Sequence, residues 1–314
     1  MPIYLKLKEA ETQSIVQLAF SYLQLDELQS PYLVRLITKA PDLQEFQLSS
    51  CTVTEDTLRE VAVAIGACAD MRNVKLLNCQ LNCSHCLYLS QGLSPLQKLT
   101  QLCLSSNPIH AEGLSLLLGG SYASLQALYL RKCGLAAGAR LPLTSLLRKA
   151  QGLEILDLAE NPLTDECVIP LIWCFSVLPR LNSLNFAATS LGPSTATALS
   201  TSLPSTLSHL DLSRNSLDNE AFITLAAALQ GLPSFSCLRV KANPLTEDCL
   251  RGLAERAAGV VPAIEADLGL KWMLNRGKCD RCGLYCLGFP EICQWLRRRL
   301  ALVAYLRVRR LRFI

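Results

Sequence analysis

Four thiols crowd the C-terminal end of the sequence, as Cys279-x-x-Cys282-x-x-x-Cys286-x6-Cys293. Four cysteines can supply all the ligands of a tetrahedral zinc site. A strong zinc pattern has two separated CxxC pairs, whereas this stretch has one pair with irregular partners. Reduced cysteines in a capping segment are the plainer reading. A second CxxC, Cys83-Ser84-His85-Cys86, includes a histidine but has no second pair nearby, and it reads as free thiols. The three histidines, His85, His110 and His209, stand far apart in sequence. None belongs to an HExxH motif or has a neighbouring Cys/Asp arrangement, and no GxxxxGK[ST] loop is present. The chemistry-bearing residues therefore give no support for an enzyme, a cofactor or a small-molecule substrate.

The sequence holds 15 cysteines, an odd number, and most lie where a small apolar residue would serve. Buried free thiols of a reducing compartment fit this pattern better than a disulfide framework does. The opening MPIYLKLKEAETQ has no apolar run of signal-peptide type. Within the periodic region no uncharged stretch reaches the ~18 residues needed to span a bilayer. An intracellular protein is expected, cytoplasmic first and nuclear second.

A different set of polar residues recurs at a fixed spacing: Tyr129, Arg131, Lys132, Asp157, Glu160, Asp211, Arg214, Arg239 and Lys241. Each falls between or just after the leucines of one motif, best formed as Leu153-x-x-Leu156-x-Leu158-x-x-Asn161-x-Leu163. Copies start near residues 15, 43, 71, 99, 125, 153, 181, 207 and 235, with a degraded strand near 261. The Leu-x-Leu alternation turns two leucines to one face of a short strand and the residue between them to the other. The ninth position is Asn107, Asn161, Asn215 or Asn243, and elsewhere Cys51, Cys79, Cys133 or Thr189. A buried Asn there can satisfy backbone groups where the chain leaves the strand.

The second half of each unit is amphipathic at helical spacing. Val168, Leu171, Ile172 and Phe175 form one stripe, with Thr164 or Asp165 as the expected cap and Pro170 early enough to be tolerated. Phe222, Leu225, Ala226 and Leu229 form another, capped by Asp218 and stopped by Gly231 and Pro233.

The pattern LxxLxLxxN/CxL followed by a helical half resembles the ribonuclease-inhibitor-like class of leucine-rich repeats, which also occurs in the tails of NOD-like receptors. The resemblance covers roughly residues 15–270. It implies an α/β solenoid, a horseshoe of parallel inner strands and outer helices. The chain divides into an array over 1–270 and a non-repeat tail over 271–314. Such arrays bind protein partners on the concave face, so the polar residues above become the candidate partner site of a scaffold, adaptor or regulator. Ribonuclease inhibition itself is not expected, because a basic ribonuclease calls for a strongly acidic face and this one is mixed.

The tail is the alternative carrier of function. Residues 271–314 hold eleven Lys/Arg and two acids, and the rest of the chain has 19 basic and 24 acidic residues. A basic amphipathic segment could cap the stack, lie on an anionic membrane or touch nucleic acid.

Overall fold

The computed structural model describes residues 14–120, 122–249 and 264–265. The tail, with its cysteines and basic residues, lies outside them.

The motif leucines build a parallel sheet. Its strands are β1 (Gln17–Ser21), β3 (Glu45–Ser49), β5 (Asn73–Leu77), β6 (Gln101–Cys103), β7 (Ala127–Tyr129), β8 (Ile155–Asp157), β9 (Ser183–Asn185), β10 (His209–Asp211), β11 (Cys237–Arg239) and β12 (Ile264–Glu265). They pair in that order. The short strands β2 (Gln24–Leu25) and β4 (Thr52–Val53) form a separate pair where the chain leaves the first repeats.

Register follows the motif residue by residue. Leu128 lies opposite Leu156, Leu156 opposite Leu184, and Leu184 opposite Leu210. Leu153, Leu156, Leu158 and Leu163 are at most 1% exposed, so the whole leucine set is core.

Helices cover the other side of that core. They are α1 (Ser30–Thr38), α2 (Glu55–Gly66), α3 (Cys83–Leu93), α4 (His110–Leu117), α5 (Arg140–Lys149), α6 (Thr164–Trp173), α7 (Pro193–Ser202) and α8 (Asn219–Gln230). The predicted stripes are buried in α6 with the 3-10 turn that follows it, and in α8. Parallel strands on one side and helices on the other make an α/β solenoid, with each repeat packed on its neighbours.

The ninth position joins the repeats. Asn161 is fully buried, and its Oδ1 accepts from the N–H of Cys133 at 2.8 Å and of Leu135 at 3.0 Å, both in the preceding repeat. Its Nδ2 donates to the carbonyls of Leu130 (2.7 Å) and Leu158 (2.8 Å). Asn107 and Asn215 make the same bonds, with Cys79 and Thr189 as the N–H donors before them. At Cys133 the thiol instead donates to the Leu104 carbonyl at 3.3 Å. From Cys79 to Asn215 the array thus alternates an asparagine that bonds both N–H groups and carbonyls with a cysteine or threonine that donates to carbonyls.

Three of the four asparagine repeats carry a second signature. Pro108, Pro162 and Pro244 each centre a three-residue turn, in which Ile109, Leu163 and Leu245 donate their N–H to the Asn carbonyl two residues back at 2.7–2.8 Å. Proline suits the centre of such a turn because its ring fixes φ close to the required value.

Two local expectations are corrected. Neither Thr164 nor Asp165 caps α6. Leu163 takes the cap position without a side-chain bond, and Thr164 adopts a left-handed φ of +63°. The Asp165 carboxylate instead caps the next helix, accepting from Gly192 N–H at 2.8 Å and Thr195 Oγ1 at 2.6 Å. Pro170 is not early in α6 but inside it, and the helix passes into a 3-10 turn (Cys174–Val177) soon afterwards. Gly231 ends α8 as expected, with φ −77°. Asp218 does cap α8, accepting from Ala221 N–H at 2.9 Å.

Candidate functional site

Side chains between the leucines face away from the core, so a parallel sheet in strict register lines them up in rows. The central row runs Lys75, Cys103, Tyr129, Asp157, Asn185, Asp211 and Arg239. Neighbours in a row are one strand spacing apart, about 4.8 Å. The residue two positions earlier forms a parallel row that sequence reading passed over, with Ile155, Ser183, His209 and Cys237. The two rows together line a shallow pocket of about 290 Å³ that extends from Tyr129 and Ile155 across Asp157, Asn185 and Asp211 to Arg239.

Tyr129 and Ile155, both half-buried, form the apolar wall. Burial pushes the Tyr129 phenol above its ordinary value, and the nearby Cys103 and Asp157 add to the rise. Burial likewise raises the Asp157 carboxyl, against the lowering effect of the Ala159 N–H, Arg131 and Asn185.

The pocket floor has a double role. Asp157 Oδ1 accepts from Ala159 N–H at 3.0 Å, Asn185 Oδ1 from Ala187 N–H at 3.1 Å, and Asp211 Oδ1 from Ser213 N–H at 2.9 Å. One oxygen of each side chain holds the chain's exit from its strand, and the second oxygen of Asp211 faces Arg239. The recurring Asp/Asn-x-small spacing could have revealed this, because Asp and Asn readily bond the N–H two residues on.

The outer rows carry the remaining candidates. Lys132, Glu160 and Arg214 share the eighth motif position, where the backbone is left-handed (φ +53°, +57° and +58°). Each donates its N–H to the next repeat, Lys132 to Ala159, Glu160 to Ala187 and Arg214 to Lys241. Their side chains are thereby fixed at the rim. Arg131 pairs with Glu160 across neighbouring repeats, and Arg239 approaches Asp211 at 3.9 Å. Lys241 is exposed on the same rim. The structure therefore groups Tyr129, Asp157, Asp211 and Arg239 in the pocket and Arg131, Lys132, Glu160, Arg214 and Lys241 along one side of it. Cys103 in the central row and Ala159 two positions beyond Asp157 are buried. A pair not anticipated, Glu45 and Lys75 at 2.6 Å, lies toward the first repeats.

His209 stands exposed at the pocket edge, with Nδ1 2.8 Å from Ser208 Oγ. His85 is a structural residue. It forms a capping box with Asn82 at the start of α3, and its Nε2 lies 3.2 Å from the Val53 carbonyl. Its CxxC is split, with Cys83 exposed and Cys86 buried. Burial pushes Cys86 and Cys133 up to about 12 and Cys79 and Cys167 up to about 11, which keeps these thiols protonated. Protonated thiols are poor nucleophiles and poor metal ligands. Among the described residues, no group of three or more His, Cys, Asp or Glu is placed to hold a metal, and no helix is long and apolar enough to cross a membrane.

The sequence model of the family described as Leucine Rich repeat matches residues 96–118 and 204–226. NACHT, LRR and PYD domains-containing protein 12 of Mus musculus is 31% identical over 213 residues, covering 60% of this chain and 20% of that protein. NACHT, LRR and PYD domains-containing protein 5 of Homo sapiens is 28% identical over 229 residues, covering 70% and 19%. The Ribonuclease inhibitor of Sus scrofa is 28% identical over 221 residues, covering 67% and 47%. The chain thus spans about a fifth of the first two relatives and about half of the third. The strand-and-helix unit that sets Tyr129, Asp157 and Arg239 in one row is a leucine-rich repeat, and the array is similar to those of the ribonuclease-inhibitor-like class.

Proposed function

We propose that the chain is a non-catalytic, intracellular recognition module that binds a partner protein across the inner sheet face, as a scaffold, adaptor or regulator. Leucine-rich-repeat proteins are generally protein-interaction modules, and the printed names of the relatives describe domain-bearing proteins and an inhibitor. The observation that carries the reading is the central pocket. A half-buried tyrosine, an isoleucine, two carboxylates and an arginine converge there. Aromatic and arginine anchors with a polar surround are the usual makings of a binding hot spot. Buried thiols fit a reducing compartment, which supports the intracellular placement.

The test is affinity purification from cells with the full chain and with a Tyr129→Ala, Arg131→Ala variant, read by quantitative mass spectrometry. Neither side chain is part of the core, so the variant should keep its circular dichroism. Specific partners should fall by tenfold or more, since losing one hot-spot side chain costs about 2 kcal/mol. The same proteins at the same yield with both baits would put the site elsewhere.

A further inference from the structure

We infer that the central pocket takes a single basic side chain, Arg or Lys, that projects from an otherwise acidic or neutral partner surface. This rests on the recognition reading above and names the chemistry of its anchor.

The argument begins with the floor. Asp157 and Asp211 lie on either side of Asn185 and both line the pocket, each with one carboxylate oxygen bonded to the backbone. Asp157 is drawn out of water, and no ion pair reaches it within 4 Å among the described residues. Its charge is therefore held at a desolvation cost that an incoming cation would offset. The second part of the argument is the wall. Tyr129 and Ile155 present ring and alkyl surface beside the carboxylates, suited to the aliphatic stem of Lys or Arg. A space of about 290 Å³ admits one long side chain rather than a helix or a strand. Arg239, 3.9 Å from Asp211 and half exposed, already places a guanidinium at the far edge, so the floor tolerates a cation at that distance.

The rim selects what surrounds the anchor. Arg131, Lys132, Arg214 and Lys241 line the side on which the strands end, with Glu160 as the one acid among them. A uniformly basic surface is repelled there, and a polyanion such as nucleic acid meets the two carboxylates below. A basic residue flanked on that side by acidic residues satisfies floor and rim together, and the asymmetry fixes its orientation.

The probe is a phage-displayed library of random nine-residue peptides, selected on the immobilised full chain. Asp157→Asn, Asp211→Asn is the informative variant. Asn185 makes the same backbone bond in the same row, so Asn can replace either Asp without loss of the fold. The expected result is enrichment of Arg or Lys at one fixed position with Asp or Glu to one side. Binding of those peptides should weaken by about tenfold or more on the double variant and on replacement of the basic residue by Gln. Peptides that depend on Tyr129 but show no basic preference, or whose binding is unchanged by the double variant, would overturn the inference while leaving the recognition reading intact. If no selected peptide is sensitive to Tyr129→Ala, the recognition site itself is misplaced and both fall.

Discussion

Asn161 shows most clearly what a single residue contributes to this array. Its amide closes two N–H groups and two carbonyls, some of them in the neighbouring repeat. Each group left buried without a partner costs about 1–3 kcal/mol. Asn161→Ala should therefore weaken the repeats it joins by about 3–5 kcal/mol, seen as an earlier onset of unfolding in a urea titration. Cys133→Ala loses only weak thiol bonds to the Leu104 and Arg131 carbonyls and a little volume, and should cost about 1 kcal/mol. Equal costs for the two would refute the alternation of strong and weak repeats. Asp157 behaves in the opposite way. Its carboxyl is raised in the folded state, so the folded protein holds that proton more tightly than the unfolded chain does. Stability is then lost as pH rises through the range just above ~3.9, and the loss persists at neutral pH. Asp157→Asn should leave stability at pH 7 unchanged or higher by up to about 1 kcal/mol after solvent screening, with the gain shrinking on acidification. A variant that is less stable at pH 7, with the deficit vanishing in acid, would show that the sign is wrong. A residue that costs stability where it stands is a better candidate for binding than for folding.

At the scale of elements, the helices approach each other more closely than their sequences suggest. A Cβ on Gly92 in α3 would stand 2.4 Å from the Ala62 carbonyl oxygen of α2, and one on Gly66 would stand 2.9 Å from the Gly92 oxygen. Gly→Ala in an isolated helix gains about 1 kcal/mol. Here Gly92→Ala should cost about 2 kcal/mol, because the contact is backbone against backbone and neither side can yield. Gly231→Ala, at the end of α8 with ordinary contacts and φ −77°, is the control and should not destabilise. Thermal melts that rank the two variants the other way would mean α2 and α3 are not in backbone contact. These glycines also mark where sequence reading stopped. Strand register was legible because leucines at a fixed period leave only one alignment, from Leu18 opposite Phe46 to Leu238 opposite Ile264. The left-handed eighth position was not, since Tyr22, Asn78, Lys132, Glu160 and Ala188 occupy it and no glycine announces it. Asp165 was misread for a related reason. A cap is normally sought in its own helix, and here the acceptor serves the helix of the next repeat. Half of the pocket was legible, namely the row between the second and third leucines. Ile155 was missed because the row before the second leucine mixes Glu, Asn, Gln, Ala, Ile, Ser, His and Cys without a common chemistry.

At the scale of the whole molecule, the array is close to one-dimensional, so the place of a weak joint matters as much as its cost. Asn161 joins repeats in the middle of the sheet, with described strands on both sides. Asn243 makes equivalent bonds near the last described strands, accepting from Leu217 N–H at 3.1 Å and donating to Leu212 and Val240 at 2.9 Å. Breaking the central joint lets one flank unfold without the other. Asn161→Ala should therefore broaden the urea transition and lower its slope, a sign that one cooperative unit has become two. Asn243→Ala should leave the slope of the main transition nearly unchanged and instead speed amide exchange in β11 and α8 alone. The central pocket lies across β7 to β11, on both sides of the Asn161 joint, so its two halves are held in register only while that joint is closed. Binding of any partner that spans Tyr129 and Arg239 should then stabilise Asn161→Ala more than Asn243→Ala, because it bridges the broken joint. Equal shifts in the two transition midpoints at saturating partner would show that the pocket does not couple the two flanks.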